Sequence, residues 1–267
     1  MPLRLAPTLR DRLADTDRPL AGMWLCTGSP LVAEIVAGGE LDWVLIDMEH
    51  SPLTLDSVAA QLQAIAAYAT TPVVRVPSND AVVIKQVLDL GAQNLLVPMV
   101  SSADEAQAAV AAVRYPPHGV RGVGSALARS ARWNRIDDYL ENAGRYTALF
   151  VQIETIAGVE AATEIADVDG VDGVFVGPSD LAASMGLIGQ QSHPEVVEAV
   201  RRAFAAVRAS GKPVGVNAFD AGLARDYARE GASFLLVGAD VAVLARAAEG
   251  VAAQWGAAPS EQTIDSY

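Results

Sequence analysis

Ionisable side chains follow three apolar segments of the chain, at spacings that could support acid–base or metal chemistry. Residues 43–46 read Trp-Val-Leu-Ile and run directly into acids and a histidine, and two later apolar segments end in the same way. The ionisable residues in question are Asp47, Glu49, His50, Glu154 and Asp180. Ionisable groups at the end of a buried strand are energetically costly unless they have a chemical role. Such clusters at the carboxyl ends of parallel strands therefore indicate an active-site mouth.

Glu154 and Asp180 end two successive apolar segments. If these segments are neighbouring parallel strands, their backbones lie about 4.8 Å apart. Two carboxylates so close repel each other unless a proton or a cation lies between them. Hard divalent ions such as Mg²⁺ accept one or two carboxylates together with water and substrate oxygens. We therefore favour a metal site, and the alternative is that each acid pairs with a separate arginine.

His50 follows Asp47 by three residues. A carboxylate bonded to one ring nitrogen fixes the tautomer and leaves the other nitrogen as a general base. We expect Asp47 to orient His50 in this way; the alternative is a loop histidine with a structural hydrogen bond. His118, in a Pro-Pro-His-Gly turn, and His193, at a Ser-His-Pro-Glu helix start, are interpreted as structural.

Arg75 lies inside the apolar run Val-Val-Arg-Val-Pro and needs an anionic partner. That partner is either a structural acid or a substrate oxyanion such as an enolate, for which the guanidinium fork is well suited. The lysines of the chain are Lys85 and Lys212, and neither is expected at the mouth. A Schiff base is therefore not expected, so stabilisation of a carbanion would need a metal.

Eight apolar runs alternate with helix-like segments, which predicts an α/β fold of the (β/α)8 TIM-barrel type. The predicted strands are 22–26, 43–47, 73–76, 94–99, 148–154, 172–177, 214–218 and 234–238. The predicted helices are 30–38, 54–68, 80–90, 103–114, 158–166, 193–210, 221–230 and 240–254.

The organisation along the chain predicts a single barrel domain over residues 1–256, followed by a loosely ordered tail at 257–267. Residues 115–147 form an insertion, expected to lie over or beside the barrel mouth or to mediate subunit contacts. Its Gly-rich part, 119–125, could cradle an anion, but a structural turn is favoured.

Composition narrows the function classes. With 32 acidic against 19 basic residues the net charge is −13, which argues against binding to nucleic acid or to an anionic membrane. The N-terminus shows no signal peptide and no apolar run could span a bilayer, so a cytoplasmic location is expected. Cys26 is the only cysteine, which excludes disulfides and Cys-based zinc sites, and it is interpreted as an inert buried thiol.

Six motifs in order between residues 20 and 254 resemble the HpcH/HpaI aldolase family. They are Asp-Met-Glu-His-Ser-Pro (47–52), Val-Val-Arg-Val-Pro (73–77), Leu-Leu-Val-Pro-Met-Val (95–100), Tyr-Pro-Pro-x-Gly-x-Arg-Gly-x-Gly (115–124), Gln-Ile-Glu-Thr (152–155) and Val-Gly-Pro-Ser-Asp-Leu (176–181). The resemblance implies a class II pyruvate aldolase on a barrel of the phosphoenolpyruvate/pyruvate superfamily, dependent on Mg²⁺, Mn²⁺ or Co²⁺ and on no organic cofactor. It also implies a role in aromatic compound catabolism. The expected assembly is a homo-hexamer, a trimer of dimers that exchange their last helix.

The resemblance also implies residue roles. Glu154 and Asp180 match metal ligands, His50 matches the proton acceptor and Arg75 the transition-state stabiliser. Asp89 matches an acid that raises the basicity of the histidine, across a subunit interface.

The substrate-binding positions implied by the same resemblance are Gln152, Ser179 (through its backbone), Asp180, Gly177 and Trp24. Ser179 replaces a common alanine, and Asn217 and Phe219 also depart from the expected pattern. These rim positions help to choose the aldehyde.

The expected reaction is reversible cleavage of a 4-hydroxy-2-oxo acid to pyruvate and an aldehyde. His50, held by Asp47, would take the proton of the C4 hydroxyl. Two alternatives stay open: a lyase acting on a CoA thioester of the malyl or citramalyl type, and a barrel that binds keto acids without catalysis.

Overall fold

The computed structural model describes residues 5–124 and 126–256, in which eight parallel strands close into a barrel. Each strand pairs with the next, and β8 returns to pair with β1. The strands are β1 (Leu20–Leu25), β2 (Trp43–Asp47), β3 (Thr71–Arg75), β4 (Asn94–Val97), β5 (Ala148–Ile153), β6 (Gly173–Val176), β7 (Val214–Asn217) and β8 (Phe234–Ala239). The predicted TIM barrel is confirmed.

Helices alternate with the strands and surround them. They are α1 (Leu9–Ala14), α2 (Pro30–Ala37), α3 (Leu55–Ile65), α4 (Ala81–Asp89), α5 (Ala103–Val113), α6 (Tyr139–Tyr146), α7 (Ile156–Glu160), α8 (Ala162–Ala166), α9 (Pro178–Ser184), α10 (Pro194–Ala209), α11 (Ala221–Arg229) and α12 (Asp240–Gln254). Asp80, Ser102 and Asp220 cap α4, α5 and α11, because each side chain accepts backbone N–H groups of the first turn.

Three helices were not predicted, and one predicted helix is divided. The segment 158–166 forms α7 and α8, which meet at Ala161, whose ψ of 7° interrupts the helical path. The unpredicted helices are α1, α6 and α9, each of eight residues or fewer, too short for a clear period of 3.6. The helix α9 matters for function because it carries Asp180 in its first turn.

Aromatic rings fill the interior of the barrel. Trp43, Phe150, Phe175 and Phe234 contact one another with ring centroids 5.3–6.4 Å apart. Gly215 makes room for this layer, since a Cβ there would lie 2.4 Å from the Phe234 ring. The interior is therefore a packed core that forms a floor beneath the mouth.

A second core lies between the strands and the surrounding helices, built mostly from Val, Ile, Leu and Ala. The last helix is an exception. Of its residues only Asp240 is buried, and its apolar side chains are exposed, among them Val243, Leu244 and Val251. No helix of the described residues is long and apolar enough to cross a membrane.

The insertion at 115–147 packs against the flank and lower end of the barrel. Arg129 donates to the carbonyl of Leu90 just after α4, and Arg10 donates to the carbonyls of Arg145 and Thr147. These contacts involve α1 and the C-terminal end of α4, away from the mouth. The Gly-rich part is a structural turn: a Cβ on Gly119 would lie 2.3 Å from the Ala111 carbonyl. Among the described residues, the placement over the mouth is thus wrong, while a role in subunit contacts stays a prediction. The tail at 257–267 lies outside the described residues.

Candidate active site

The carboxyl ends of the strands surround a cavity of about 530 Å³ at one end of the barrel, which we term the mouth cavity. Most of the predicted site residues line it. They are Trp24, Asp47, His50, Arg75, Gln152, Gly177, Ser179 and Asp180. Glu154 is buried beside them, within hydrogen-bonding distance of Gln152. Chemistry-bearing side chains from β1, β2, β3, β5 and the β6–α9 junction therefore meet in one place.

Arg75 is buried and held by two acids. Its Nε donates to Oδ1 of Asp47 at 2.8 Å, and its Nη1 lies 2.8 Å from Oε2 of Glu49. The guanidinium also lies over the Trp24 ring, 4.4 Å from the centroid. The pairing with Asp47 follows from strand register, because these two residues are direct neighbours at the ends of β2 and β3. A structural ion pair and a cavity-facing cation are thus combined in one residue.

The expected pairing of Asp47 with His50 is wrong. Asp47 accepts hydrogen bonds from the Glu49 backbone, the Ser51 hydroxyl and Arg75. The chain turns sharply after β2, so the Asp47 carboxylate is used within this turn and by the neighbouring strand. The acid nearest to His50 is Glu49, whose Oε2 lies 3.9 Å from Nε2. The imidazole itself is 65% exposed and lies at the rim of the mouth cavity.

Glu154 is a buried carboxylate, and within residues 5–124 and 126–256 it has no cationic side chain as a partner. It accepts a hydrogen bond from the Met99 backbone N–H at 2.7 Å and another from the Gln152 amide. Burial, together with the nearby charges of Glu49 and Asp180, raises the pKa of Glu154 to about 7 in spite of these bonds. Protonation of Glu154 or a bound cation would remove the cost of this buried negative charge and its repulsion by the neighbouring carboxylates.

Two backbone features bring Glu154 to the cavity. Met99 has φ of 58°, a left-handed conformation that costs a side-chain-bearing residue about 1–3 kcal/mol, and its N–H donates to the carboxylate. Gly177 lies opposite, and a Cβ there would lie 2.8 Å from Oε2 of Glu154. The next helix, α9, begins at Pro178 and presents Asp180 from its first turn.

The donor set fits a divalent cation. Among the described residues neither Glu154 nor Asp180 forms a salt bridge, so the alternative of separate arginine partners is not realised. The buried Oε1 of Gln152 has no hydrogen-bond partner within that part of the chain. No group of three or more His, Cys, Asp or Glu side chains suited to a metal occurs in the described ranges. Two carboxylates are nevertheless the complement that Mg²⁺ uses when water and substrate oxygens complete its shell.

Asp89 is not brought to His50 within this chain. It is the last residue of α4 and lies near the start of β4, whereas His50 follows the end of β2. Its carboxylate forms a salt bridge at 3.1 Å with Arg121, a fully buried residue of the insertion. An effect of Asp89 on a histidine across a subunit interface stays a prediction.

The two lysines lie away from the mouth, as the sequence predicts. Lys212 donates to the Val171 carbonyl at the opposite end of the barrel, and Lys85 packs beside Gly122 on the flank. Cys26 lines the mouth cavity and is half-buried rather than fully buried. Burial raises the pKa of its thiol to about 11, so it is held as an unreactive neutral group.

The sequence left Glu49 unassigned, missed Met99 and gave no sign of the contact that Asn217 makes. Glu49 pairs with Arg75, and strand register could have indicated it because Asp47 and Arg75 are neighbours. Met99 acts through its backbone, which leaves no side-chain signal. Asn217 accepts a hydrogen bond at 2.8 Å from the Trp24 indole, a contact between residues 193 positions apart.

The sequence and the fold are similar to those of known proteins. The chain is 53% identical over 240 residues to the 4-hydroxy-2-oxo-heptane-1,7-dioate aldolase of Salmonella dublin, covering 90% of this chain and 91% of that protein. The Escherichia coli aldolase of the same name is also 53% identical, covering 90% and 92%.

A solved structure from Burkholderia cenocepacia J2315, an HpcH/HpaI aldolase/citrate lyase family protein, is 42% identical. It superposes with a TM-score of 0.88 over 92% of this chain and 98% of that chain. The model of the family described as HpcH/HpaI aldolase/citrate lyase matches residues 20–247. Because this match spans most of the chain and the relatives are 53% identical, the chain belongs to the HpcH/HpaI aldolase/citrate lyase family.

Proposed function

We propose that this protein is a class II pyruvate aldolase, a carbon–carbon lyase that cleaves 4-hydroxy-2-oxo acids to pyruvate and an aldehyde. One observation carries the proposal: Glu154, a buried carboxylate without a cationic partner among the described residues, lies beside a cavity that also holds Asp180, Arg75 and His50. Family membership and the name of the 53% identical relatives agree with it.

Glu154 and Asp180 would hold the divalent cation. When bound, such an ion supplies positive charge that polarises a keto oxygen and stabilises an enolate. Gln152, Gly177 and Ser179 surround the same part of the cavity and would position the carboxylate and keto groups of the substrate. The choice among Mg²⁺, Mn²⁺ and Co²⁺ follows the resemblance and is part of the proposal.

His50 is the proposed general base. Its exposed ring at the cavity rim can take the proton of the C4 hydroxyl, directly or through water. The C4–O bond then becomes a carbonyl, the C3–C4 bond breaks, and its electron pair passes to C3, giving the enolate of pyruvate. Protonation at C3 completes the cleavage, and the same steps in reverse form the bond.

Arg75 is the proposed stabiliser of the developing oxyanion. Asp47 and Glu49 hold two edges of its guanidinium and Trp24 covers a face, so the charge is fixed in place before the reaction begins. Preorganised charge of this kind is worth about 10²–10³ in rate when a single donor is removed. Glu49, left unassigned by the sequence, is given this orienting role together with Asp47.

The test is exchange of pyruvate's methyl protons for deuterium, followed by NMR with and without added Mg²⁺, Mn²⁺ or Co²⁺. We expect exchange that needs metal, stops with EDTA and is nearly lost in H50N and E154Q. Borohydride with pyruvate should leave the enzyme active because Lys85 and Lys212, the two lysines of the sequence, lie away from the mouth. Metal-free activity destroyed by borohydride would contradict the proposal, as would binding of pyruvate without exchange.

A second arm compares a hydroxyketo acid with malyl-CoA as substrates. Faster cleavage of the thioester would favour the CoA-lyase alternative.

Assembly and location belong to the same proposal. A homo-hexamer that exchanges α12 is supported by the exposed apolar side chains of that helix. A cytoplasmic location, a role in aromatic compound catabolism, small-molecule substrates, and the expectation that nucleic acid and membranes are not partners, all stay predictions. Mass measurement in solution, on the full chain and on a chain ending before Asp240, tests the assembly.

A further inference from the structure

A second cavity adjoins the mouth cavity. It has a volume of about 710 Å³ and lies between the start of α9 and the β7–α11 junction; we term it the side cavity. The two cavities share five lining residues: Pro178, Ser179, Gln191, Asn217 and Phe219. A substrate whose pyruvate portion lies beside Asp180 would therefore extend toward Asn217 and the side cavity.

The orientation of the Asn217 amide is fixed by its neighbour. The indole N–H of Trp24 donates to Oδ1 of Asn217 at 2.8 Å. An indole nitrogen can only donate, so the amide oxygen must face Trp24 and the amide nitrogen must face away. Within the described part of the chain, Nδ2 donates to no acceptor, and it is not a buried unsatisfied atom. Asn217 thus offers two N–H donors where the cavities meet.

The charges around this junction disfavour an anion. The uncharged polar residues of the side cavity are Ser179, Gln191, Ser192 and Asn217, and its charged residues are Asp220 and Asp226. Among described residues that line either cavity, Arg75 is the one Lys or Arg side chain, and Asp47 and Glu49 already hold it. A carboxylate at the far end of a substrate would meet like charge without a cation, whereas hydroxyl groups would meet donors and acceptors.

We propose that Asn217 is a specificity-determining residue and that the aldehyde portion of the substrate is neutral and hydroxylated, in preference to one ended by a carboxylate. Oδ1 of Asn217 is committed to Trp24, which covers Arg75, and Nδ2 donates to a substrate hydroxyl. This inference rests on the proposed aldolase function and names its substrate class.

The test measures kcat/KM for addition of pyruvate to three aldehydes, with the holoenzyme loaded with Mn²⁺. Glyceraldehyde carries hydroxyl groups, pentanal has the same number of heavy atoms without them, and succinic semialdehyde ends in a carboxylate. We expect wild type to prefer glyceraldehyde over both others by about tenfold or more, since a polar site rejects a substrate that leaves its groups unpaired.

Two variants separate the donor from the rest of the side chain. Asn217→Leu removes donor and acceptor at similar volume, and Asn217→Asp keeps an acceptor for Trp24 while removing the donor. Both should lower the glyceraldehyde-to-pentanal ratio by about tenfold relative to wild type. Taking the ratio within each variant cancels any general loss of activity. A ratio that stays within twofold of wild type in both variants overturns the inference, as does a wild-type preference for succinic semialdehyde.

Methyl exchange into pyruvate, which needs no aldehyde, separates the two proposals. Wild type that exchanges protons but shows no preference for glyceraldehyde overturns the inference about Asn217 alone. Wild type that exchanges none overturns the aldolase function and this inference with it.

Discussion

Gly177 and Glu154 occupy space that no larger pair of residues could share: a Cβ at position 177 would lie 2.8 Å from the Glu154 carboxylate. The carboxylate has little freedom to retreat, because it is buried and held by Gln152 and by the Met99 backbone. The glycine is therefore needed for the position of an acid on the neighbouring strand.

Gly177→Ala should displace Glu154 and weaken metal binding. We expect the metal concentration for half-maximal activity to rise at least tenfold and kcat/KM to fall by about 100-fold, since misplacing a catalytic group by about 1 Å costs that much. Metal titration of pyruvate methyl exchange measures both. Gly144→Ala is the matched control, because it is exposed in α6 and a Cβ there meets no atom within 4 Å. Unchanged metal dependence in Gly177→Ala would disprove the role of this glycine.

Arg75→Lys should preserve the positive charge but remove the planar guanidinium group, which donates along two edges. Lysine cannot contact Asp47 and Glu49 along two edges at once, so its ammonium group is not held where the oxyanion develops. We expect kcat for both methyl exchange and aldol addition to fall by about 100-fold. Arg202→Lys, on the exposed side of α10, serves as the control. Activity within fivefold of wild type in Arg75→Lys would show that charge alone suffices.

Gly215→Ala tests the packing of the barrel interior. The added methyl would lie 2.4 Å from the Phe234 ring, within a layer of aromatic side chains that are themselves buried. Overpacking of this kind should lower the free energy of unfolding by about 1–3 kcal/mol. Urea denaturation followed by circular dichroism measures it.

Gly144→Ala is the comparison for that experiment. Gly144 is exposed in α6 with open space around its Cα, so alanine should stabilise the helix by about 0.5–1 kcal/mol. Equal unfolding free energies for the two variants would contradict the close contact between Gly215 and Phe234.

The Cys26 thiol should react slowly at neutral pH. Burial raises its pKa to about 11, so the thiolate fraction stays small until the pH approaches that value. We expect the rate of iodoacetamide labelling to rise with pH to a midpoint near 11 in the folded protein. In urea the midpoint should fall to that of an ordinary cysteine. Cys26→Ser is the unlabelled control, and rapid labelling of folded protein at pH 7 would contradict the burial of this thiol.

The raised pKa of Cys26 also predicts how the free energy of unfolding changes with pH. The folded-state pKa of Cys26 lies above the unfolded value, so its contribution to stability is fully present at pH values below the ordinary thiol pKa. It is lost as the pH rises through about 11. A difference in unfolding free energy between wild type and Cys26→Ser that narrows over this alkaline range is the expected result.

The strands were predictable because each is mostly apolar and lies between polar turns, with polar exceptions such as Arg75 in β3 and Gln152 in β5. The prediction for β2 matches Trp43–Asp47 in full, whereas β1 and β3 begin two residues earlier than predicted. Those ends are set by pairing rather than by hydrophobicity: Thr71, at the start of β3, pairs with Trp43 of β2. Proline at position 72 is tolerated within that strand, although the sequence alone argues against it.

The site was predictable in its residues and less so in its contacts. Most of the site residues that were predicted at the ends of the strands do line the mouth cavity. Spacing along the chain suggested that Asp47 holds His50, but contacts across neighbouring strands bind Asp47 to Arg75 instead. The helix α9 was missed because Gly-Pro-Ser-Asp resembles a turn, while Pro178 in fact occupies the first helical turn.

The last helix is attached to the barrel by one end. Asp240 accepts hydrogen bonds from the backbone of Cys26 and Thr27, and beyond this anchor α12 runs to Gln254 without a further buried residue. A helix of about 15 residues in water alone is only marginally stable. Its helicity should therefore depend on how often it meets another surface, which makes the helix content of this protein a function of its own concentration.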